Sequence, residues 1–351
     1  MAHWNQKCFV SREMNKTTFS SMTGSPARAP LRIGFLPLND AAPIIAAHEF
    51  GFFTKYDLDV EIRRQGSWKE ISEKIARNEL EAAHAPATLP FLINLGITGE
   101  SCPCVTALVL SLQGNVITIS RALWDEGVRD GQSLRERVAR DFGRRTYTFA
   151  MPFPFSSHHF LLNRWMRSAD VGPQVRMITV PPTQMFPMLK LGYVDGYCAG
   201  EPWNSVAIEA GVGMSIATSA TLAPSHPEKV LLVRQQFALK RSNEHERLIA
   251  ALLEACRFCA NEKNRDKLCE VLARPEYVNA PANCIRIGVD QLNIFHGRNA
   301  NYPAAQKAAW ITSGLYKLIR WPNRPREIEN VFRPVIYRNA LARTRRSAAV
   351  A

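Results

Sequence analysis

From residue 31 onward, short apolar runs alternate with stretches whose apolar residues recur three and four positions apart, the patterns of strands and of amphipathic helices in turn. Residues 31–38 (LRIGFLPL) read as a strand. Residues 39–56 (NDAAPIIAAHEFGFFTKY) read as a helix that Asn39 or Asp40 can cap and Gly51 closes, and residues 58–62 resume strand character. The same grammar continues with a helix over 68–77, a strand over 82–85, a helix over 88–95 and one long apolar strand over 104–112. Such alternation predicts an α/β fold with a largely parallel sheet. After Ser120 the chain becomes charged (GVRDGQSLRERVARDFGRR), which marks a crossing into a second lobe. That lobe takes strands at 146–151, 175–180 and 196–199 and helices at 158–168 and 184–191, and the chain crosses back near 216–220. The rest reads mostly as helices, with strand character at 230–233. The expected layout is a disordered extension over 1–30, lobe 1 over 31–119, lobe 2 over 120–220, the completion of lobe 1 with wrapping helices over 221–345, and a tail over 346–351.

Composition narrows the class. At 351 residues the chain exceeds a typical single core, and 46% apolar with 21% charged residues is a globular balance. The net charge of +13 is partly gathered in Arg333, Arg338, Arg343, Arg345 and Arg346, but no aromatic-interleaved basic stretch accompanies it. A solvated tail is therefore expected and no nucleic-acid surface. Eight cysteines are too sparse for a disulfide scaffold and fit a reducing compartment. Cys256 and Cys259, in LIAALLEACRFCANE, read as helix core because no second pair has zinc-site spacing. The first thirty residues are polar and lack an apolar stretch of signal-peptide length. No window approaches the roughly 18 uninterrupted apolar residues of a membrane span. A cytoplasmic location without membrane insertion is the expectation. No nucleophile and base pair, phosphate loop or metal-ligand spacing stands out, so neither catalysis nor a cofactor is expected.

The candidate chemistry lies at strand-to-helix junctions, at residues 37–40, 155–158 and 200–203. Free N–H groups and the positive end of a helix dipole suit such junctions to anions, and ligands of open α/β sheets gather at the carboxyl ends of strands. The sharpest is CAGEPWN at 198–204, where Gly200 permits close backbone approach and Pro202 suits a first helical turn. VPPTQM at 180–185 precedes it by one helix length, and HPEKVL at 226–231 follows, offering the cation Lys229 on a turn.

In that order and spacing, VPPTQM, DGYCAGEPWNSVA and HPEKVL give the chain, from about residue 31 to about 302, a resemblance to the nitrate- and bicarbonate-binding proteins of cyanobacterial ABC transporters and to their cytoplasmic relatives that sense nitrate and nitrite, the NasS type. The resemblance implies a two-lobed, periplasmic-binding-protein-like fold of type 2 with the ligand cleft between the lobes. It puts ligand contacts on Trp68, Asn115, His158, Ala199, Gly200 and Lys229. In those roles Trp68 closes over the anion, Asn115 donates an amide hydrogen bond with Gln113 as its substitute, and Lys229 supplies charge. His158 donates from its ring, the neighbouring His159 leaving the register open. A lysine implies nitrate or nitrite, which only accept hydrogen bonds, over bicarbonate, which carries a proton. The polar N-terminus favours the sensor relatives, which hold an RNA-binding antiterminator (NasT-like) and release it when the anion arrives. The alternative is the substrate-binding component of a nitrate or bicarbonate ABC transporter. A pyrimidine-forming thiamine-pathway enzyme shares the fold but carries a dense cysteine cluster, for which Cys102-Pro103-Cys104 is the nearest counterpart.

Overall fold

In the computed structural model, which describes residues 29–171, 174–319 and 325–350, twelve strands fall into two sheets. Five precede the first crossing: β1 (Leu31–Phe35), β2 (Val60–Arg64), β3 (Ala82–Pro86), β4 (Cys104–Val105) and β5 (Val109–Gln113). Five form the second lobe: β6 (Asn115–Ser120), β7 (Tyr147–Met151), β8 (Val175–Thr179), β9 (Gly196–Gly200) and β10 (Gly213–Thr218). The chain then returns as β11 (Pro227–Arg234) and β12 (Asn293–Ile294). Lobe 1 has the order β12-β5-β11-β3-β1-β2, with β4 pairing β11, and lobe 2 has the order β10-β6-β9-β7-β8. β1 runs parallel to β2 and β3, and β7 runs parallel to β8 and β9, whereas β11 is antiparallel to β3 and β5. This is the two-lobed, type 2 binding-protein arrangement.

Local sequence accounts for the elements that frame the cleft. Strand β3 is buried along its whole length, as a strand covered on both faces should be. The helix Trp68–Ala76 starts where the Ser67 hydroxyl accepts the Glu70 N–H while the Glu70 carboxylate reaches back to the Gly66 N–H. Its buried Trp68, Ile71 and Ile75 follow helical spacing and pack on lobe 1. Lobe 2 has a core of its own around Tyr147, Phe149, Leu161 and Trp165. Cys256 and Cys259 are buried in the helix Ser242–Ala260, as their spacing implied.

Five details depart from the sequence reading. The expected single strand over 104–112 is broken, because Thr106 leaves the ladder to bridge Phe332 and turns its hydroxyl onto the Leu108 carbonyl. The crossing into lobe 2 comes at Gln113 and Gly114, both at positive φ (58° and 96°), so β6 pairs in the second sheet before the charged stretch begins. Asn39 and Asp40 cap nothing with their side chains: Asn39 Nδ2 donates to the Ile285 carbonyl at 2.8 Å, and Asp40 points into the cleft. Lys229 sits in the middle of strand β11 opposite Pro86 and Ser111, not on a turn. At the C-terminus the helix Pro334–Val350 continues through most of the expected tail, and Arg343 pairs with Glu246 across it. The extension over 1–28 lies outside the described residues.

The two crossings run side by side. The Asn115 N–H donates to the Ser219 hydroxyl at 3.1 Å, and the Ser225 N–H donates to Gln113 Oε1 at 2.8 Å. Across the cleft the lobes touch directly: the Asn39 N–H donates to the Glu201 carbonyl at 2.9 Å, and the Trp203 indole donates to the Pro37 carbonyl at 3.1 Å. No described helix is long and apolar enough to cross a membrane.

Candidate ligand-binding site

Where the carboxyl ends of β3 and β9 face one another, a cluster of polar side chains is completely withdrawn from solvent. Lys229 is its centre, with Nζ 2.7 Å from Asp40 Oδ2 and 2.6 Å from Glu228 Oε1. His84 Nε2 meets the other Asp40 oxygen at 2.8 Å. Glu228 Oε2 accepts from Asn115 Nδ2 at 2.6 Å and lies 3.0 Å from His226 Nε2. His158 approaches from lobe 2, its Nε2 3.5 Å from Glu228 Oε1. The Trp68 ring roofs the group, centred 5.6 Å from the ammonium and 5.3 Å from the His84 ring.

Such a group is tolerable inside a protein only because its members neutralise one another. Burial pushes the Asp40 carboxyl up, but Lys229 and His84 prevail and hold it below the usual carboxylate range. Burial opposes ionisation of Glu228 as well, and Lys229 and His158 hold it well below that range. Burial lowers Lys229, and the two carboxylates more than restore it. His158 goes the other way: burial brings it down to about 4 against the pull of Glu228, so the imidazole is neutral at pH 7. Both His226 nitrogens face acceptors, the Ala223 carbonyl at 2.9 Å and Glu228, so both bonds form together only in the imidazolium form.

Within this cluster several atoms have no protein partner. They include the Trp68 indole N–H, both ring nitrogens of His158, His84 Nδ1 and Asn115 Oδ1. Gly200 completes the wall; a methyl group on it would lie 3.5 Å from Asp40 Oδ2 and 3.6 Å from Asn115 Oδ1, so its hydrogen faces the same space. Outward, between the segment around Trp68 and Phe153, Phe155 and Pro181 of lobe 2, a mostly apolar cleft of about 380 Å³ opens to solvent.

A protein-family model, the NMT1-like family, matches residues 24–273, well over half of the chain. The chain belongs to the NMT1-like family. Among the relatives of this NMT1-like chain, one from Synechocystis sp. named nitrate import ATP-binding protein NrtC is 35% identical over 335 residues, covering 88% of this chain and 49% of that one. A bicarbonate transport ATP-binding protein CmpC from Synechococcus elongatus is 36% identical over 306 residues, covering 84% and 46%. The chain thus spans about half the length of the curated relatives it matches first. Among solved structures, the periplasmic nitrate-binding protein NrtA from Synechocystis superposes with a TM-score of 0.84 at 26% identity, covering 90% of this chain and 88% of that one.

The NMT1-like chain brings most of the residues singled out from its sequence to one place. Trp68, Asn115, His158, Gly200 and Lys229 all border the cluster. Ala199 is buried in β9 behind it, its carbonyl accepting from Asn204 Nδ2 at 2.9 Å. Gln113 is turned away to Ser225, so it does not substitute for Asn115. The ambiguity between the two histidines resolves: His159 Nδ1 accepts the Phe155 N–H at 3.1 Å outside the cluster. The sequence reading reached Asp40 only through the junction at 37–40 and as a possible cap, and did not single out Asp40, His84, Glu228 or His226 as site residues. Two of these, His226 and Glu228, precede Lys229 within HPEK itself, where an acid beside a lysine was a signal that the cation would be paired. Asp40 was assigned a capping role for want of any sign that its helix start is buried, and His84, in an apolar strand, gave no sign at all.

Proposed function

We propose that the chain captures nitrate or nitrite between its lobes, as the anion-binding unit of an ABC-type import system. The observation that carries the reading is convergence on one buried point. Lobe 1 contributes Trp68 and Lys229, lobe 2 contributes His158, Asn115 and Gly200, and two unpartnered donors, the Trp68 indole N–H and the one N–H of the neutral His158 ring, stand there beside the acceptor Asn115 Oδ1. A small planar anion bearing acceptors suits those two donors, and the hydroxyl of bicarbonate would in addition suit the Asn115 oxygen. The names of the NrtC and NrtA relatives support nitrate, and that of CmpC keeps bicarbonate as the comparison ligand. A thermal-shift panel of nitrate, nitrite, bicarbonate and an alkanesulfonate tests the reading, since a ligand that binds only the folded form raises its stability. Stabilisation by nitrate or nitrite is expected, and a response to bicarbonate or the sulfonate alone would refute it.

A finer reading sets this capture in the cytoplasm, where closure reshapes the surface that holds an RNA-binding antiterminator. Two observations favour it. The seven described cysteines are free, buried thiols, which suits a reducing compartment. The chain is also more similar to relatives named as ATP-binding proteins, at 35% and 36%, than to the periplasmic NrtA structure at 26%, and ATP is hydrolysed on the cytoplasmic side. Gel filtration with an antiterminator of the NasT kind tests it: a complex that nitrate dissolves supports the sensor, and no complex at any nitrate concentration refutes it.

A further inference from the structure

The cluster has no positive charge to spare. Asp40 and Glu228 are both ionised against Lys229, and counting His226 as a cation only brings the four to zero. An anion arriving at this point would therefore stand in surroundings that are neutral or negative, deep in a site of low dielectric constant, where an uncompensated charge is costly.

One group there can change that balance without moving. His158 is completely buried in the helix Ser157–Ser168, and neither ring nitrogen has a hydrogen-bond partner. The charged and titratable groups facing it are Glu228, Lys229 and His226 from β11 and the turn before it, and Asp40 from the segment after β1. His84 of β3 stands farther back, against Asp40 and the Trp68 ring. Glu228 Oε1 lies on the His158 side, placed to stabilise an imidazolium.

We propose that nitrate enters this site together with a proton, and that the His158 ring is where that proton resides. The step breaks no bond in the anion. A solvent proton bonds to the free lone pair of the imidazole, which then presents two N–H donors, one to the anion and one toward Glu228. On the residues alone the imidazole is neutral at pH 7. An anion about 4 Å away, at an effective dielectric constant of about 20, raises its proton affinity roughly a thousandfold, enough to protonate it near neutrality. This makes the captured species the anion plus one proton, an acid equivalent, and it rests on the nitrate reading above. It also makes His158 a specificity device, because bicarbonate arrives with a proton already attached.

The test is calorimetric titration of nitrate into the full chain in two buffers of different ionisation enthalpy, such as acetate and MES, at about pH 5.5. The expected result is uptake of about one proton per nitrate bound, with affinity falling about tenfold per pH unit between about pH 5 and about pH 6.5 and levelling off above about pH 7. In H158N, which keeps an amide donor and cannot titrate, the uptake is expected to vanish and the affinity to become flat with pH. In H48N, at an exposed histidine outside the cluster, the uptake is expected to remain. Nitrate binding by the unaltered chain without proton uptake would overturn the proposal while leaving the nitrate reading intact. Uptake that persists in H158N would overturn the assignment to His158. No binding of nitrate or nitrite at any pH would remove the underlying reading, and the proposal with it. The proton count of the unaltered chain decides the main claim even if a variant does not fold.

Discussion

Lys229→Met removes one charge at nearly constant volume and leaves two buried carboxylates facing each other. Asp40 and Glu228 are both held by the same ammonium, at 2.7 and 2.6 Å. Their nearer oxygens are therefore no more than roughly 5 Å apart, where two like charges repel by about 3 kcal/mol at an effective dielectric constant of about 20. Breaking a buried ion pair from one side costs about 3–5 kcal/mol, and the repulsion puts this site at the upper end. The pH dependence must also reverse. In the unaltered chain both carboxylates have depressed folded pKa values, so their contribution is present above the unfolded values of about 3.8 and 4.5 and is lost as the pH falls through the folded ones. Without the ammonium, burial dominates and raises both values, so the folded variant binds protons that the unfolded chain has released. Its stability then grows as the pH is lowered. Urea denaturation of both proteins at about pH 8 and about pH 5.5 measures this. The expected deficit is about 3–5 kcal/mol at the higher pH and clearly smaller at the lower one. A deficit below about 1 kcal/mol, or one equal at both pH values, would refute the buried-pair account.

Other substitutions separate wall from scaffold. Gly200→Ala meets its neighbours at 3.5 Å or more, so the fold should change by less than about 0.5 kcal/mol while nitrate affinity falls at least tenfold by calorimetry; unchanged affinity would show that Gly200 does not face the ligand. Trp68→Phe keeps a ring but deletes an indole N–H that has no protein partner, and should cost about tenfold in nitrate affinity, the worth of one hydrogen bond; a full-strength variant would exclude that donor. Glu201 is buried and pushed up to about 7 from 4.5, mainly by burial, so the folded state holds its proton more tightly and this group weighs against folding as the pH rises from about 4.5 through about 7. Glu201→Gln should therefore stabilise the protein by up to about 3 kcal/mol above pH 7 and have little effect near pH 4.5, read from melting curves; equal effects at both ends would contradict the raised value.

What was legible in the sequence follows what is periodic. The helix Trp68–Ala76 and the strand β3 announce themselves through spacing and capping, and the cleft residues at Gly200 and His158 fall at helix entries where free N–H groups gather. The crossing at Gln113 and Gly114 did not, because Asn115–Ser120 is as apolar as the strand before it and only pairing tells the sheets apart. The identity of Lys229 as a site residue was readable and its state was not. Charge compensation by Asp40 depends on a contact across 189 positions of chain, which no local pattern encodes.

Lobe 2 is one uninterrupted stretch hung on two adjacent crossings, with Pro227 opposite Leu112 where the chain returns, while both ends of the described chain belong to lobe 1. Tension applied at those ends reaches lobe 2 only after β5 and β11 have been peeled apart, so the outer lobe bears the load and shelters the inserted one. On relaxation the order inverts, because the inserted lobe is contiguous and its contacts are the nearer in sequence. Stretching single molecules would thus lengthen this chain in two steps, and its recovery would begin from the middle.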